Sequence, residues 1–164
     1  MFEDVLNWII KEGLQGQSFI KLNSILYPSE ELVTNLHNFL IKYFRGREDE
    51  IHGGFSNKGN ISYALFHCQY QIRNSGSRES QLLEKAAFLM NFYFTSHTFV
   101  DGNKRTGFVI AMLFLAVNKL PGSLNMVNYL NHVNFFKKIA SRETNDKRNI
   151  PEILDWFEKN RKTN

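Results

Sequence analysis

The chain has 164 residues, 43% of them hydrophobic and 15 of them phenylalanine, which is typical of one globular domain with an aromatic core. Its formal net charge is +4 and its basic residues are spread along the chain, so the charge does not indicate direct nucleic-acid binding. A single cysteine, Cys68, excludes an internal disulfide, and no apolar run reaches the roughly 18 residues of a membrane span. The acidic N-terminus lacks a signal-peptide pattern, so we expect a cytoplasmic protein without membrane contact.

The first predicted element is a short helix at the N-terminus. Its apolar residues are spaced for one helical face, and Gly13 marks its end. An irregular stretch over residues 14–28 follows. We treat residues 1–164 as a single domain in which residues 1–28 form an N-terminal extension whose role the sequence does not indicate.

The clearest predicted helix covers residues 29–44. Ser29 can cap it, and Glu30 and Glu31 lie at the positive end of its dipole. His37 lies on this helix, and a lone helical histidine is more often structural than catalytic. We therefore place His37 outside the functional site.

A connection over residues 46–60 with four glycines separates this helix from the next one, predicted over residues 61–72. A connection of this length is either unimportant or covers a ligand as a flap. After a break at residues 73–80, residues 82–95 and 107–118 are apolar on nearly every side. This pattern predicts two buried central helices.

Two further helices are predicted after the central pair. Apolar residues from Val127 to Ala140 mark one, and a terminal helix follows with Pro151 in its first turn. No sustained period-two alternation competes with the helical spacing. The sequence therefore predicts an all-α fold in which the two central helices flank one polar loop.

That polar loop lies in the segment HTFVDGNKRTG, residues 97–107. A polar loop between buried helices is costly unless its groups meet each other, water or a ligand. Gly102 allows close backbone approach, and the helix that begins near Asn103 presents free N–H groups and a positive dipole end. Lys104 and Arg105 add two cations, so we expect this segment to bind a polyphosphate.

Three other residues of the segment complete the expected chemistry. Asp101 is a hard oxygen donor suited to Mg²⁺. His97 can accept a proton from a hydroxyl at neutral pH, which makes it the candidate general base. Phe99 is interpreted as an anchor whose ring holds the loop in the core. An ordinary helix–loop–helix junction is the alternative, but the co-occurrence of these groups within nine positions argues against it.

The segment closely resembles the signature of the Fic/DOC family, His-x-Phe-x-(Asp/Glu)-Gly-Asn-x-Arg. The residues that carry the resemblance are His97, Phe99, Asp101, Gly102, Asn103, Lys104 and Arg105. The resemblance extends roughly over residues 29–160. It implies an α-helical fold that carries a group from a nucleoside triphosphate to a protein hydroxyl.

The resemblance also implies a role for each matching residue. His97 would be the general base and Asp101 the Mg²⁺ ligand. Asn103 would belong to the anion hole, and Arg105 would clamp phosphate. The residues expected to hold the nucleotide are Phe99, Gly102, Asn103, Lys104 and Arg105.

The segment GGFSNKGN, residues 53–60, would by the same resemblance be a flap that positions the target protein. The residues expected to touch the target are Phe55, Ser56, Asn57 and Lys58. Target specificity is therefore expected to lie in this flap.

Two departures from the AMP-transferring relatives favour the death-on-curing branch of the family. Those relatives have Gly at the position of Lys104 and a second Arg at the position of Phe108. The death-on-curing toxins have Lys at the first of these positions. They resemble kinases, because the nucleotide binds in a reversed sense and the γ-phosphate is delivered, in the known case to a threonine of elongation factor Tu.

The expected activity is Mg²⁺-dependent transfer of phosphate from ATP, or another nucleoside triphosphate, to a Ser, Thr or Tyr hydroxyl of a target protein such as a translation factor. The protein would be a toxin with a separate antitoxin, since the family's inhibitory pattern (Ser/Thr)-x-x-x-Glu-(Gly/Asn) does not occur in the sequence. AMP transfer is the first alternative. A catalytically idle module that binds nucleotide or a partner helix is the second.

Overall fold

The computed structural model describes residues 4, 8, 19–45, 51–126 and 129–162. These residues form six α-helices and one small antiparallel sheet, which confirms the predicted helical fold. The strands are β1 (Phe19–Leu22) and β2 (Ile25–Pro28). The helices are α1 (Glu30–Arg45), α2 (Gly59–Tyr70), α3 (Arg78–Thr95), α4 (Asn103–Val117), α5 (Val133–Ala140) and α6 (Asn149–Arg161). Apart from Asp4 and Trp8, the predicted opening helix lies outside the described residues.

The centre of the fold is the pair α3 and α4, as the sequence predicts. Every residue of α4 from Thr106 to Leu115 is buried. The two helices approach closely at Gly107, where an added Cβ would lie only 2.8 Å from the Cβ of Tyr93. The loop that joins them, residues 96–102, is therefore fixed at both ends by the most buried part of the molecule.

Helix α1 packs against α4 and begins where the sequence predicts. The hydroxyl of Ser29 accepts a hydrogen bond of 3.1 Å from the backbone N–H of Leu32, which confirms the predicted N-cap. The buried face of α1 runs from Leu32 to Phe44 and includes His37. This face positions α1 beneath the loop between α3 and α4.

A β-hairpin occupies part of residues 14–28, a stretch predicted to be irregular. Asn23 and Ser24 turn the chain with φ values of 51° and 64°. Positive φ at both central positions is the geometry of the two-residue hairpin turn, for which Asn-Gly is the usual sequence signal. Each strand has only four residues, so the alternation was too short to identify.

Asn118 attaches this hairpin to the end of α4. Its Oδ1 accepts from the N–H of Leu26 at 2.9 Å, and its Nδ2 donates to the carbonyl of Leu26 at 2.8 Å. The two residues are 92 positions apart in the sequence, which explains why local patterns did not reveal the contact.

The predicted helix from Val127 to Ala140 is wrong in its first half. A turn of 3₁₀-helix at Tyr129–His132 comes first, and α5 covers only the second half of the predicted range. Tyr129 is buried whereas Leu130 is 61% exposed, so the apolar residues do not continue one helical face. Val127 lies outside the described residues. The terminal helix α6 is confirmed, with Pro151 in its first turn.

The remaining boundaries differ by a few residues. Helix α2 ends at Tyr70, two residues before the predicted end. Helix α3 begins at Arg78, inside the predicted break, because the hydroxyl of Ser77 caps it by accepting from the N–H of Ser80 at 3.1 Å. No helix in the described part of the chain has the length and apolar character that a bilayer crossing requires.

Candidate active site

The candidate active site is the loop between α3 and α4 together with the first turn of α4. Gly102 is the N-cap of α4 and has a φ of 79°, in the left-handed region that favours glycine. An added Cβ would lie 3.2 Å from Cδ1 of Ile41 and 3.5 Å from Cε1 of His37. Gly102 thus brings the backbone close to α1, as its position in the sequence suggests.

The first turn of α4 presents backbone N–H groups in the direction of the loop. The N–H of Thr106 makes the first bond of the helix, to the carbonyl of Gly102 at 2.9 Å. The N–H groups of Asn103 and the two residues after it therefore lie outside the backbone ladder of the helix. This end of the helix carries the positive pole of its dipole and suits an anion.

The two cations of this turn, Lys104 and Arg105, differ in their contacts with the protein. The guanidinium of Arg105 lies over the ring of Phe44 on α1, 4.1 Å from its centroid. This cation–π contact orients the guanidinium against α1. Lys104 is half-buried and forms no ion pair with any residue in the described ranges. Its ammonium is therefore available to a phosphate.

The side chain of Asn103 braces the loop. Its Oδ1 accepts from the N–H of Phe99 and its Nδ2 donates to the carbonyl of Phe99, both at 2.9 Å. The family resemblance implies a place for Asn103 in an anion hole, and this bracing is a second role. One N–H of the amide remains after the Phe99 contact, so the two roles are compatible.

His97 is presented to solvent by an unusual backbone conformation. Its φ is 50°, which a non-glycine residue adopts at a cost on the order of 1 kcal/mol. Thr98 and Phe99, directly after it, are buried, whereas His97 is exposed. The loop therefore directs the imidazole outward, where a hydroxyl of another molecule can reach it.

Asp101 is half-buried and keeps part of its carboxylate open. Its Oδ2 accepts a hydrogen bond of 2.8 Å from the backbone N–H of His52. Its Oδ1 has no hydrogen-bond partner among the described residues. Those residues contain no cluster of three or more potential metal ligands, so a cation here would depend on Asp101, phosphate oxygens and water. This donor set fits Mg²⁺, which binds proteins through one or two carboxylates and keeps waters and phosphates in its shell.

The predicted flap lies along the loop and is joined to it by backbone hydrogen bonds. The N–H groups of Ser56 and Asn57 both donate to the carbonyl of Thr98, at 3.0 and 3.1 Å. The N–H of Val100 donates to the carbonyl of Gly54 at 3.0 Å. The flap and the loop thus form one backbone surface, although they are distant in the sequence.

The side chains of the flap divide into two groups. The ring of Phe55 is half-buried and lies 5.7 Å from the ring of Phe99, so it packs partly inward. The side chains of Ser56, Asn57 and Lys58 are exposed. Three of the four predicted target-contacting residues are therefore accessible to another protein, and Phe55 also anchors the flap.

His37, which the sequence suggests is structural, is buried directly beside the loop. Its ring stacks on the buried ring of Phe99 at a centroid distance of 3.8 Å, and its Nδ1 hydrogen-bonds with Oγ1 of Thr106 at 3.1 Å. Burial lowers the pKa of His37 to about 4, and the carboxylate of Asp101 opposes this shift. The available signal was its place between Leu36 and Leu40 on the buried face of α1.

The residues of this site lie within a match to a known protein family. The model of the Fic/DOC family matches residues 27–115, which is more than half of the chain and contains the flap, the loop and most of α4. The chain belongs to the Fic/DOC family. This family covers protein-modifying transferases, including enzymes that transfer AMP and enzymes that transfer phosphate. No curated protein and no solved structure gives a significant match.

Phe108 lies at the position where the sequence resemblance places a second Arg in AMP-transferring enzymes of the Fic/DOC family. In this chain the side chain at that position is fully buried. The ring of Phe108 packs against the rings of Tyr129, Phe136 and Trp156, with centroid distances of 5.3, 5.2 and 6.3 Å. The side chain belongs to the aromatic core formed with α5 and α6.

Proposed function

We propose that this Fic/DOC chain transfers the γ-phosphate of ATP, or of another nucleoside triphosphate, to a hydroxyl group of a target protein. The observation that carries the choice of phosphate over AMP transfer is Phe108, at the position where the AMP-transferring relatives have a second Arg. Its side chain is uncharged and buried, so no cation reaches the nucleotide from that position. Lys104, in the first turn of α4, is the cation that this chain has where the AMP-transferring relatives have Gly.

The geometry of the site supports a role for each of its residues in this reaction. The N-terminus of α4, Lys104 and Arg105 hold the triphosphate. Asp101 would hold Mg²⁺, which when bound would neutralise charge on the transferring group. A hydroxyl oxygen of the target bonds to the γ-phosphorus, the bond from that phosphorus to the β,γ-bridging oxygen breaks, and the nucleoside diphosphate leaves. His97 takes the proton of the hydroxyl.

The backbone of the flap supports a role in positioning the target. Ser56, Asn57 and Lys58 are exposed beside His97, and the flap is fixed to the loop by three backbone hydrogen bonds. A segment of the target held there would have its hydroxyl close to the imidazole. The flap would thereby hold the target hydroxyl in the orientation that the reaction requires.

The proposal includes a biological role as a cytoplasmic toxin that modifies a translation factor and is controlled by a separate antitoxin. The exposure of His97 supports control by another protein, since the site is open on the side of the imidazole. Expression of the intact protein should slow growth, and co-expression of the antitoxin should relieve this effect. Normal growth at high expression would contradict the toxin role.

Incubation with a cell lysate and ATP labelled on either the α- or the γ-phosphate tests the reaction. We expect transfer of the γ label only, with mass spectrometry of the labelled protein giving the target residue. Transfer of the α label would establish AMP transfer instead, which is the second candidate because Lys104 and Phe108 are the only two positions that argue against it. Nucleotide binding without either label would support the idle binding module. His97→Asn is the matched control.

A further inference from the structure

His37 is a buried polar residue that contacts the loop from the opposite side to the flap. Its side chain is only 1% exposed, and its Nε2 is buried without a hydrogen-bond partner among the described residues. A buried polar atom without a partner costs free energy and is uncommon in native proteins. An apolar residue such as leucine would fill this part of the core without burying an unpaired nitrogen, so packing alone does not account for a histidine.

The imidazole contacts the site at three separate points. Its ring is stacked on Phe99 with an interplanar angle of 10°. Its Cε1 faces Gly102, since a Cβ added to that glycine would lie 3.5 Å from it. Its Nδ1 hydrogen-bonds with the hydroxyl of Thr106. One side chain of α1 therefore contacts the middle of the loop, the N-cap and the first turn of α4.

The Thr106 contact is the most informative of the three. Thr106 is fully buried, and its backbone N–H makes the first hydrogen bond of α4, to the carbonyl of Gly102. His37 thus holds the side chain of Thr106, and the backbone of Thr106 closes the first turn of α4. The orientation of the N–H groups in that turn depends on the same closure.

We propose that His37 is a positioning residue that fixes Gly102 and the first turn of α4 in the conformation that binds phosphate. This inference rests on the proposed function, in which that turn holds the triphosphate. His37 does not touch the nucleotide or the target hydroxyl in this proposal. It acts through Thr106 and through the backbone at Gly102.

A double-mutant cycle separates positioning from packing. His37→Phe keeps a planar ring against Phe99 and removes the contact with the hydroxyl. Thr106→Val removes the same contact from the other side with little change of volume. The probe is the Mg²⁺ complex of a non-hydrolysable ATP analogue, measured by calorimetry, with His37→Asn as a conservative variant whose amide can reach the hydroxyl of Thr106.

We expect each single variant to bind the analogue on the order of tenfold more weakly, which is the effect of one hydrogen bond. The double variant should bind no more weakly than either single variant, because both remove one shared contact. His37→Asn should recover part of the affinity. Unchanged affinity in His37→Phe, or losses that add fully in the double variant, would overturn the proposal.

Hydrogen exchange of the Thr106 amide tests the same inference without nucleotide. We expect faster exchange at Thr106 in His37→Phe and Thr106→Val, and no change in Ile153→Val, which trims the buried core of α6 and controls for a general loss of stability. If the unmutated protein binds no analogue, the proposed function fails, while the exchange rates still decide whether His37 holds this turn. Equal exchange in all variants would overturn the positioning role.

Discussion

The carboxylate of Asp101 accepts a hydrogen bond of 2.8 Å from the backbone N–H of His52, at the base of the flap. The candidate ligand for Mg²⁺ and the segment proposed to contact the target are therefore physically connected. A backbone donor fixes the orientation of Asp101 with any residue except proline at position 52. Supporting hydrogen bonds of this kind orient metal ligands and tune their affinity.

Replacing His52 by proline removes this donor, and replacing it by alanine retains it. We expect His52→Pro to raise the Mg²⁺ concentration needed for half-maximal activity by about tenfold, because Asp101 loses its fixed orientation. His52→Ala should behave like the unmutated protein. Titration of activity with Mg²⁺ gives the comparison, and identical titrations for the two variants would show that the contact has no functional role.

Loss of the imidazole at position 97 should remove transfer without removing nucleotide binding. His97→Asn is the best variant, because asparagine tolerates the φ of 50° at this position better than alanine does. We expect the rate of transfer to fall by roughly 10²–10⁴, with the affinity for a non-hydrolysable ATP analogue nearly unchanged. An equal loss of affinity and rate would show that His97 is structural.

Lys104→Gly tests the choice of transferred group. In the unmutated protein the ammonium of Lys104 should hold part of the triphosphate. The lysine side chain should also fill the space that Gly leaves for pyrophosphate in the AMP-transferring relatives. The variant should lose phosphate transfer and gain weak AMP transfer. The mass added to the target, phosphate or AMP, is the measurement. AMP added by the unmutated protein would overturn the orientation argument.

Phe108→Arg should unfold the domain and not restore the second arginine of the AMP-transferring relatives. The substitution places a charge among the aromatic rings of Tyr129, Phe136 and Trp156. We expect a loss of more than about 4 kcal/mol in the free energy of unfolding. Phe108→Leu should lose about 1 kcal/mol. Urea unfolding measures both, and a stable Phe108→Arg protein would contradict the assignment of this side chain to the core.

The burial of His37 predicts a pH dependence of stability. Its pKa is lowered from 6.5 to about 4, so between these values the unfolded chain binds a proton that the folded chain does not. The free energy of unfolding should therefore fall as the pH drops through this window, by a total on the order of 3 kcal/mol, and this contribution should stay constant at lower pH. Urea unfolding from pH 7 to pH 4 is the measurement. His37→Phe should lack this component, and equal pH dependence in both proteins would refute it.

The elements that local patterns specify were predicted well. Ser29 caps α1 through the N–H of a residue in the first turn, and the apolar runs of α3 and α4 need burial on all sides, so both could be identified from neighbouring residues. The hairpin could not be identified because its turn is Asn23-Ser24 and its attachment is Asn118, far along the chain. The range proposed for α5 failed because burial alternates between Tyr129 and Leu130.

The candidate site shows the same division. The residues of HTFVDGNKRTG are adjacent in sequence, so their shared chemistry was visible from the sequence alone. Their supports are not adjacent. His37 contacts Phe99 from α1, and the backbone of His52, directly before the flap, contacts Asp101. Contacts of this kind depend on how helices pack, and one sequence gives no pattern for them.

The brace between Asn103 and Phe99 limits how this motif can vary. The amide of Asn103 bonds both backbone groups of Phe99, so the five residues from one to the other form a closed ring of fixed length. The same five residues contain Asp101 and the left-handed turn at Gly102. Inserting or deleting a single residue inside the ring would displace the carboxylate, the turn and the buried phenylalanine together. A substitution at one of these positions removes one function, whereas a change of length would remove all of them.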